Sequence, residues 1–245
     1  MSKIGIAITM YDEHDLVLSS VRNIRALFSD TAKIVVVHSD DGKSTANLDA
    51  IKDEVDRYYL LSDLGKIMSR HEYPACAISR NYSKAFQELY SLDCDYEFIV
   101  AFTGDTLIFD AANFTRRFND MKRNNWSAMV SQVVGFKIHA STDDPARGIT
   151  GNRPQTHLTT DFAPQLFFIE GTLAKRSQAF ADIPITNKFG SEQCLGDELC
   201  RALEVQTGEQ FHRKVSRLNS ANPRAVYSYC DGTRYHAKNT QQPGR

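Results

Sequence analysis

Short apolar runs alternate in this chain with segments where apolar residues return every three or four positions. Lys3-Ile4-Gly5-Ile6-Ala7-Ile8-Thr9-Met10, Ile34-Val35-Val36-Val37, Tyr58-Tyr59-Leu60-Leu61 and Tyr96 to Phe102 are brief and rich in β-branched or aromatic residues. Such runs predict strands. Val17, Val21, Ile24 and Phe28 fall at helical spacing, which predicts a helix laying one face on a sheet. A second helix is expected over Leu48 to Val55. A third opens at Ile78, with Ile78, Tyr82, Phe86 and Leu89 as its apolar face. The unbroken run Ile34–Val37 suits a parallel strand covered on both sides. Strand, helix, strand in this rhythm is a right-handed crossover unit. The expected class is therefore α/β, with a central, mostly parallel sheet flanked by helices.

The second half is less periodic. Phe114 to Lys122 predicts a charged helix, Trp126 to Val134 and Gln165 to Gly171 predict strands, and Ala225 to Tyr229 a late strand. From Lys137 to Pro164 the chain is polar and rich in Thr, Asp, Gly and Pro, which reads as a long functional or mobile loop. A helix is expected to begin at Gly196, with Asp197 and Glu198 in its first turn. We read residues 1–245 as a single domain, with 1–110 and 111–245 as its two halves.

Composition narrows the class further. The chain has 245 residues, 42% hydrophobic and 24% charged, as in ordinary soluble domains. A formal net charge of −1 gives no global field for nucleic acid or an anionic surface. No apolar run is long enough for a transmembrane segment. Met1-Ser2-Lys3 leads directly into the first strand, not into a secretory leader. The five cysteines form no CxxC, and we read them as reduced thiols of a cytoplasmic protein.

The apolar run from Tyr96 ends abruptly in Thr103-Gly104-Asp105-Thr106. A carboxylate at the exit of a buried strand stands at the sheet rim where open α/β folds bind ligands, making Asp105 a candidate metal ligand. The same four residues also read as a simple turn. Three other stretches recur in a recognisable order. Thr9-Met10-Tyr11-Asp12-Glu13 follows the first strand, Asp40-Asp41-Gly42-Lys43-Ser44 follows the second, and Arg80-Asn81 stands at a helix start. In that order the chain resembles GT-A fold glycosyltransferases, in particular the family-2-like nucleotide-sugar transferases. Tyr11 and Glu13 match that family's first motif while its Pro and Asn are absent. Only the last Asp of its Asp-x-Asp motif is kept, at Asp105. The similarity covers about the first 110 residues.

The resemblance implies a GT-A-like fold, with a Rossmann-type nucleotide-binding half merged with a smaller acceptor-side half. It implies transfer of a sugar, of the hexosyltransferase class, from a nucleotide-diphosphate donor to a saccharide or other hydroxyl acceptor, inverting and metal-assisted. Thr9, Tyr11, Glu13, Asp40, Asp41, Arg80, Asn81, Gly104 and Asp105 are then donor-binding candidates. Tyr11 would stack on the base, the Asp pair would accept from base or ribose, and Arg80 would contact the diphosphate. A divalent cation, Mn2+ or Mg2+, would sit on Asp105 and His236. Asp197, with Glu198 in reserve, is the candidate general base, and Glu170 is a further acid in the acceptor half. Two other readings stay open. A sugar-phosphate nucleotidylyltransferase would carry a Gly-rich basic loop after its first strand, and Thr9 to Asp15 has no glycine. A non-catalytic nucleotide- or sugar-binding protein would tolerate the incomplete Asp-x-Asp. No GxGxxG follows a strand, which counts against a dehydrogenase.

Overall fold

The computed structural model describes residues 3–11, 13–39, 48–61, 73–108, 111–131, 133–139, 157–162, 165–183, 191–218 and 227–229. Its centre is a seven-stranded sheet. Four parallel strands, β1 (Lys3–Met10), β2 (Ala32–Ser39), β3 (Arg57–Leu61) and β4 (Tyr96–Thr103), lie in the order β4-β1-β2-β3. The second half of the chain extends this sheet past β4 with β9 (Leu166–Glu170), β6 (Ala128–Val130) and β10 (Val215–Arg217). Of the seven, only β9 runs antiparallel to its neighbours, β4 and β6. A short β5 (Thr106–Ile108) pairs with β11 (Tyr227–Tyr229), and β7 (Val133–His139) forms an antiparallel pair with β8 (His157–Phe162).

Strand alternation separates the core into two layers. Ile4, Ile6, Ile8, Ile34, Val36, Val100 and Phe168 face one side. They are covered by α1 (His14–Phe28), through Val17, Val21 and Ile24, and by α4 (Ala112–Asn124), through Phe114, Phe118 and Met121. Ala7, Val35, Val37, Ile99, Ala101 and Phe167 face the other side. There α3 (Tyr73–Ser91) supplies Tyr82, Phe86 and Leu89, and α6 (Ser191–Leu203) supplies Leu195 and Leu199. Cover on both faces explains why these strands read as unbroken apolar runs. The smaller helices are α2 (Asp49–Lys52), α5 (Gly171–Ser177) and α7 (Gly208–Lys214). No helix among the described residues is long and apolar enough to cross a membrane.

Several boundaries differ from expectation for identifiable reasons. The third helix begins at Tyr73, five residues before Ile78, because Pro74 sits in its first turn, where a missing N–H costs nothing. The Leu48–Val55 helix shortens to Asp49–Lys52. The expected loop from Lys137 to Pro164 instead contains the end of β7 and all of β8, and its residues 140–156 and 163–164 lie outside the described residues. The helix expected at Gly196 starts at Ser191, so Asp197 and Glu198 lie in its middle and not in its first turn.

Gly196 serves packing instead. A Cβ there would fall 1.5 Å from the Thr160 carbonyl oxygen of β8, so only glycine lets α6 approach that strand. We expect Gly196→Ala to destabilise the protein by at least about 1–3 kcal/mol, the usual cost of overpacking. A urea melt that superimposes on wild type would show that the helix and strand separate freely.

Candidate functional site

The C-terminal ends of β1, β2 and β4 lie side by side, and α1 and α3 border the gap above them. Thr103 N–H donates to Gln165 O at 3.2 Å, and Thr106 Oγ1 donates to the same carbonyl at 2.9 Å. These bonds tie the turn after β4 to the start of β9. Ser20 and Asn23 of α1 hold β5 from the other side. Ile108 N–H donates to Ser20 Oγ at 2.9 Å, and Asn23 Nδ2 donates to Ile108 O at 2.9 Å. Asp105 is thereby fixed between two anchored strands. Gly104 N–H donates to Thr9 O at 2.6 Å, joining this turn to the end of β1.

The result is a cavity of about 220 Å³ lined by Thr9, Met10, Tyr11, Glu13, Ser39, Ile78, Asn81, Thr103, Gly104 and Asp105. Ligand pockets usually start near roughly 300 Å³, so these walls would hold one end of an extended ligand. Six of the candidate residues meet here: Thr9, Tyr11, Glu13, Asn81, Gly104 and Asp105. Glu13 turns its carboxylate back, and its Oε2 accepts from Tyr11 N–H at 2.8 Å. A Cβ on Gly104 would come within 2.9 Å of that same oxygen and 3.2 Å of Thr9 O, so glycine keeps the turn against the first loop. Asp105 Oδ1 accepts from Thr103 Oγ1. Arg80 is half-buried on α3, and its neighbour Asn81 takes the place on the cavity wall.

Four wall residues were not read as site residues from the sequence: Met10, Ser39, Ile78 and Thr103. Tyr82 was read only as part of the apolar face of α3. It is fully buried, yet its hydroxyl hydrogen-bonds the Thr9 side chain and feels the charge of Asp105. Burial, then the negative charge of Asp105, push its pKa well above the ordinary phenol value, against the opposing effect of the Thr9 bond. The Tyr82 phenol therefore stays neutral. A polar atom at one position of an apolar helical stripe was the only available signal.

Other candidates lie elsewhere. Asp40, Asp41 and His236 are outside the described residues. Asp197 is half-buried in the middle of α6 and does not line the cavity. Glu198 is 3% exposed, and its Oε2 accepts from Arg201 Nε at 2.9 Å. The Arg201 guanidinium also donates to Ser177 O at 3.2 Å, so this ion pair ties α6 to the end of α5. Glu170 caps α5: its carboxylate accepts from Thr172 N–H at 3.2 Å and Leu173 N–H at 3.1 Å. It pairs with Phe98 near the start of β4, the opposite end of that strand from Asp105, which removes it as an acid for this cavity.

Among the described residues, no group of three or more His, Cys, Asp or Glu side chains is placed to hold a metal ion. A dedicated protein cage is not required for a nucleotide-bound ion. Hard divalent cations in such sites commonly use one or two carboxylates, substrate phosphates and water. Asp105 at the cavity wall, with Glu13 across Gly104, is a donor set of that kind.

No family model matches this sequence, and no curated protein matches it. Solved structures do share the fold. S. aureus TarS aligns with a TM-score of 0.50 at 11% identity, covering 92% of this chain and 36% of that one. TarS 1-349 in complex with UDP aligns with a TM-score of 0.50 at 12% identity, covering 92% and 59%. The mannosyltransferase PcManGT from Pyrobaculum calidifontis, in complex with GDP-Man and Mn2+, aligns with a TM-score of 0.50 at 14% identity, covering 96% and 59%. The chain thus spans between 36% and 59% of the length of these structures. At such identities the likeness is one of fold: a mixed α/β protein whose mostly parallel sheet and flanking helices match theirs.

Proposed function

We propose that this chain is a GT-A-type glycosyltransferase that moves a sugar, a hexose, from a nucleotide-diphosphate donor to an acceptor hydroxyl, with inversion and with help from a divalent cation. One observation carries the reading. Thr9, Tyr11, Glu13, Asn81, Gly104 and Asp105, separate in sequence, converge on one cavity at the C-terminal ends of parallel strands. Ligands of open α/β sheets bind at that edge. The neighbours in complex with UDP and with GDP-Man and Mn2+ support the donor class.

In this reading Tyr11 offers its ring to the nucleoside, and Asp40 and Asp41, next after β2 in the sequence, would accept from base or ribose. Asp105 would hold the divalent cation, with His236 as a further ligand, and the ion would neutralise charge building on the departing diphosphate. Thr103 orients the Asp105 carboxylate. Asp197 is the proposed base for the acceptor hydroxyl. Glu198, already committed to Arg201, is the lesser candidate.

The test is thermal stability with UDP or GDP, with and without Mn2+ or Mg2+. At a ligand concentration a hundred times Kd the gain is about 2.7 kcal/mol. For a chain of this size that corresponds to roughly 5–10 °C. We expect such a rise, larger with the cation. No rise with any nucleoside diphosphate would remove the donor assignment. A rise without turnover on any acceptor would favour a binding protein of the same fold.

A further inference from the structure

Ser39 closes β2 at the side of the cavity away from Asp105 and is 1% exposed. Its Oγ donates to Asn81 Oδ1 at 2.7 Å, and Asn81 is itself 4% exposed. Both side chains line the cavity. An amide has one acceptor atom and one donor atom, so committing Oδ1 to Ser39 settles which way the group faces. What Asn81 has left to offer is Nδ2–H, and among the described residues no hydrogen bond takes it up.

The sheet order gives this pair its place along a ligand. Thr9 of β1 is in register with both Val37 and Thr103, so Ser39 lies two strand spacings across from Thr103 and two residues further along, roughly 12 Å away. Asp105 marks one end of that span and suits the diphosphate with its cation. The neutral Ser39–Asn81 pair, with apolar Met10 and Ile78 also lining the cavity, suits the base. This assignment rests on the nucleotide-sugar reading proposed above.

We infer that the Ser39–Asn81 pair selects the base, admitting nucleoside diphosphates that present a carbonyl at C4 of a pyrimidine or C6 of a purine toward Asn81, as uracil and guanine do, over cytosine and adenine, which carry an amino group at that position. A carbonyl accepts from Nδ2–H. An amino group there is a donor, and two donors facing each other beside side chains as buried as Ser39 and Asn81 leave both poorly satisfied. A mismatch of that kind costs roughly ten- to a hundredfold in affinity.

The experiment is calorimetric titration of the whole chain with UDP, CDP, GDP and ADP at one fixed Mn2+ concentration. We expect UDP and GDP to bind at least about tenfold more tightly than CDP and ADP. Ser39→Ala releases the amide to turn Oδ1 into the cavity. It should bring the UDP and CDP affinities to within about threefold of each other, mainly through tighter CDP binding. Asn81→Asp offers acceptors only and should tip the preference to CDP, with circular dichroism confirming that both variants fold. Equal binding of all four nucleotides by wild type, or an unchanged preference in Ser39→Ala, overturns the selector while leaving the nucleotide-sugar reading standing. Failure of every nucleotide to bind overturns both.

Discussion

Asp105→Ala should abolish cation-dependent donor binding and lower turnover by at least about a hundredfold, while leaving the melting temperature of the ligand-free protein nearly unchanged. The size follows from the proposed task. Positioned charge that stabilises a departing anion typically accounts for about two to three orders of magnitude in rate. The small effect on stability follows from position. Asp105 is half-buried at a strand exit, and its truncation opens no cavity in either core layer. The turn itself is held by backbone bonds from Thr103 and Gly104, which survive the substitution. Asp105→Asn is the companion variant: it keeps an oxygen for Thr103 Oγ1 but carries no charge. If charge is what matters, Asn should behave like Ala when donor affinity is titrated against Mn2+. Full cation-dependent activity in either variant would displace Asp105 from the centre of the site.

The first four strands were legible because each is buried on both faces and so stands out as an apolar run bounded by polar turns. Their crossover helices were legible through Val17, Val21 and Ile24 and through Tyr82, Phe86 and Leu89. The place of β9 was not. Its apolar run marks Leu166–Glu170 as a strand, but nothing local says that it inserts antiparallel between β4 and β6. Register between distant strands is decided by the packing of the whole sheet. The misplaced start of α6 has a similar origin. Gly196 looked like a boundary because glycine is a poor helix residue, whereas its reason for being there is the Thr160 carbonyl of another element. The site divides in the same way. Residues in the turns just beyond strands, such as Tyr11 and Asp105, were visible from the chain. Ser39 closes a β-strand as an ordinary small polar residue, and only its bond to Asn81, 42 residues away in sequence, brings it into the site.

Asp197→Asn should lower turnover by about a hundredfold to ten-thousandfold with donor affinity unchanged, the range for losing a general base. The amide keeps the size and much of the hydrogen bonding of the acid but cannot take a proton at neutral pH. Because α6 begins at Ser191, Asp197 lies beyond the first turn, where the helix dipole acts most strongly. The dipole therefore adds little to any change in melting temperature. Glu198→Gln is the informative neighbour. Its carboxylate is 3% exposed and bound to Arg201 at 2.9 and 2.8 Å, so neutralising it weakens a charge-assisted bond that anchors α6 to α5. A bond to a charged group is worth about 1.5–3 kcal/mol, and we expect a lowered melting temperature with turnover per folded molecule largely kept. The two variants thus separate chemistry from anchoring when rate and stability are measured together on a verified acceptor. A collapse in rate for Glu198→Gln at unchanged stability would exchange the two roles. Near-normal rates for both would take α6 out of the mechanism, and Glu170 could not replace it, since that carboxylate caps α5 at the far end of the sheet.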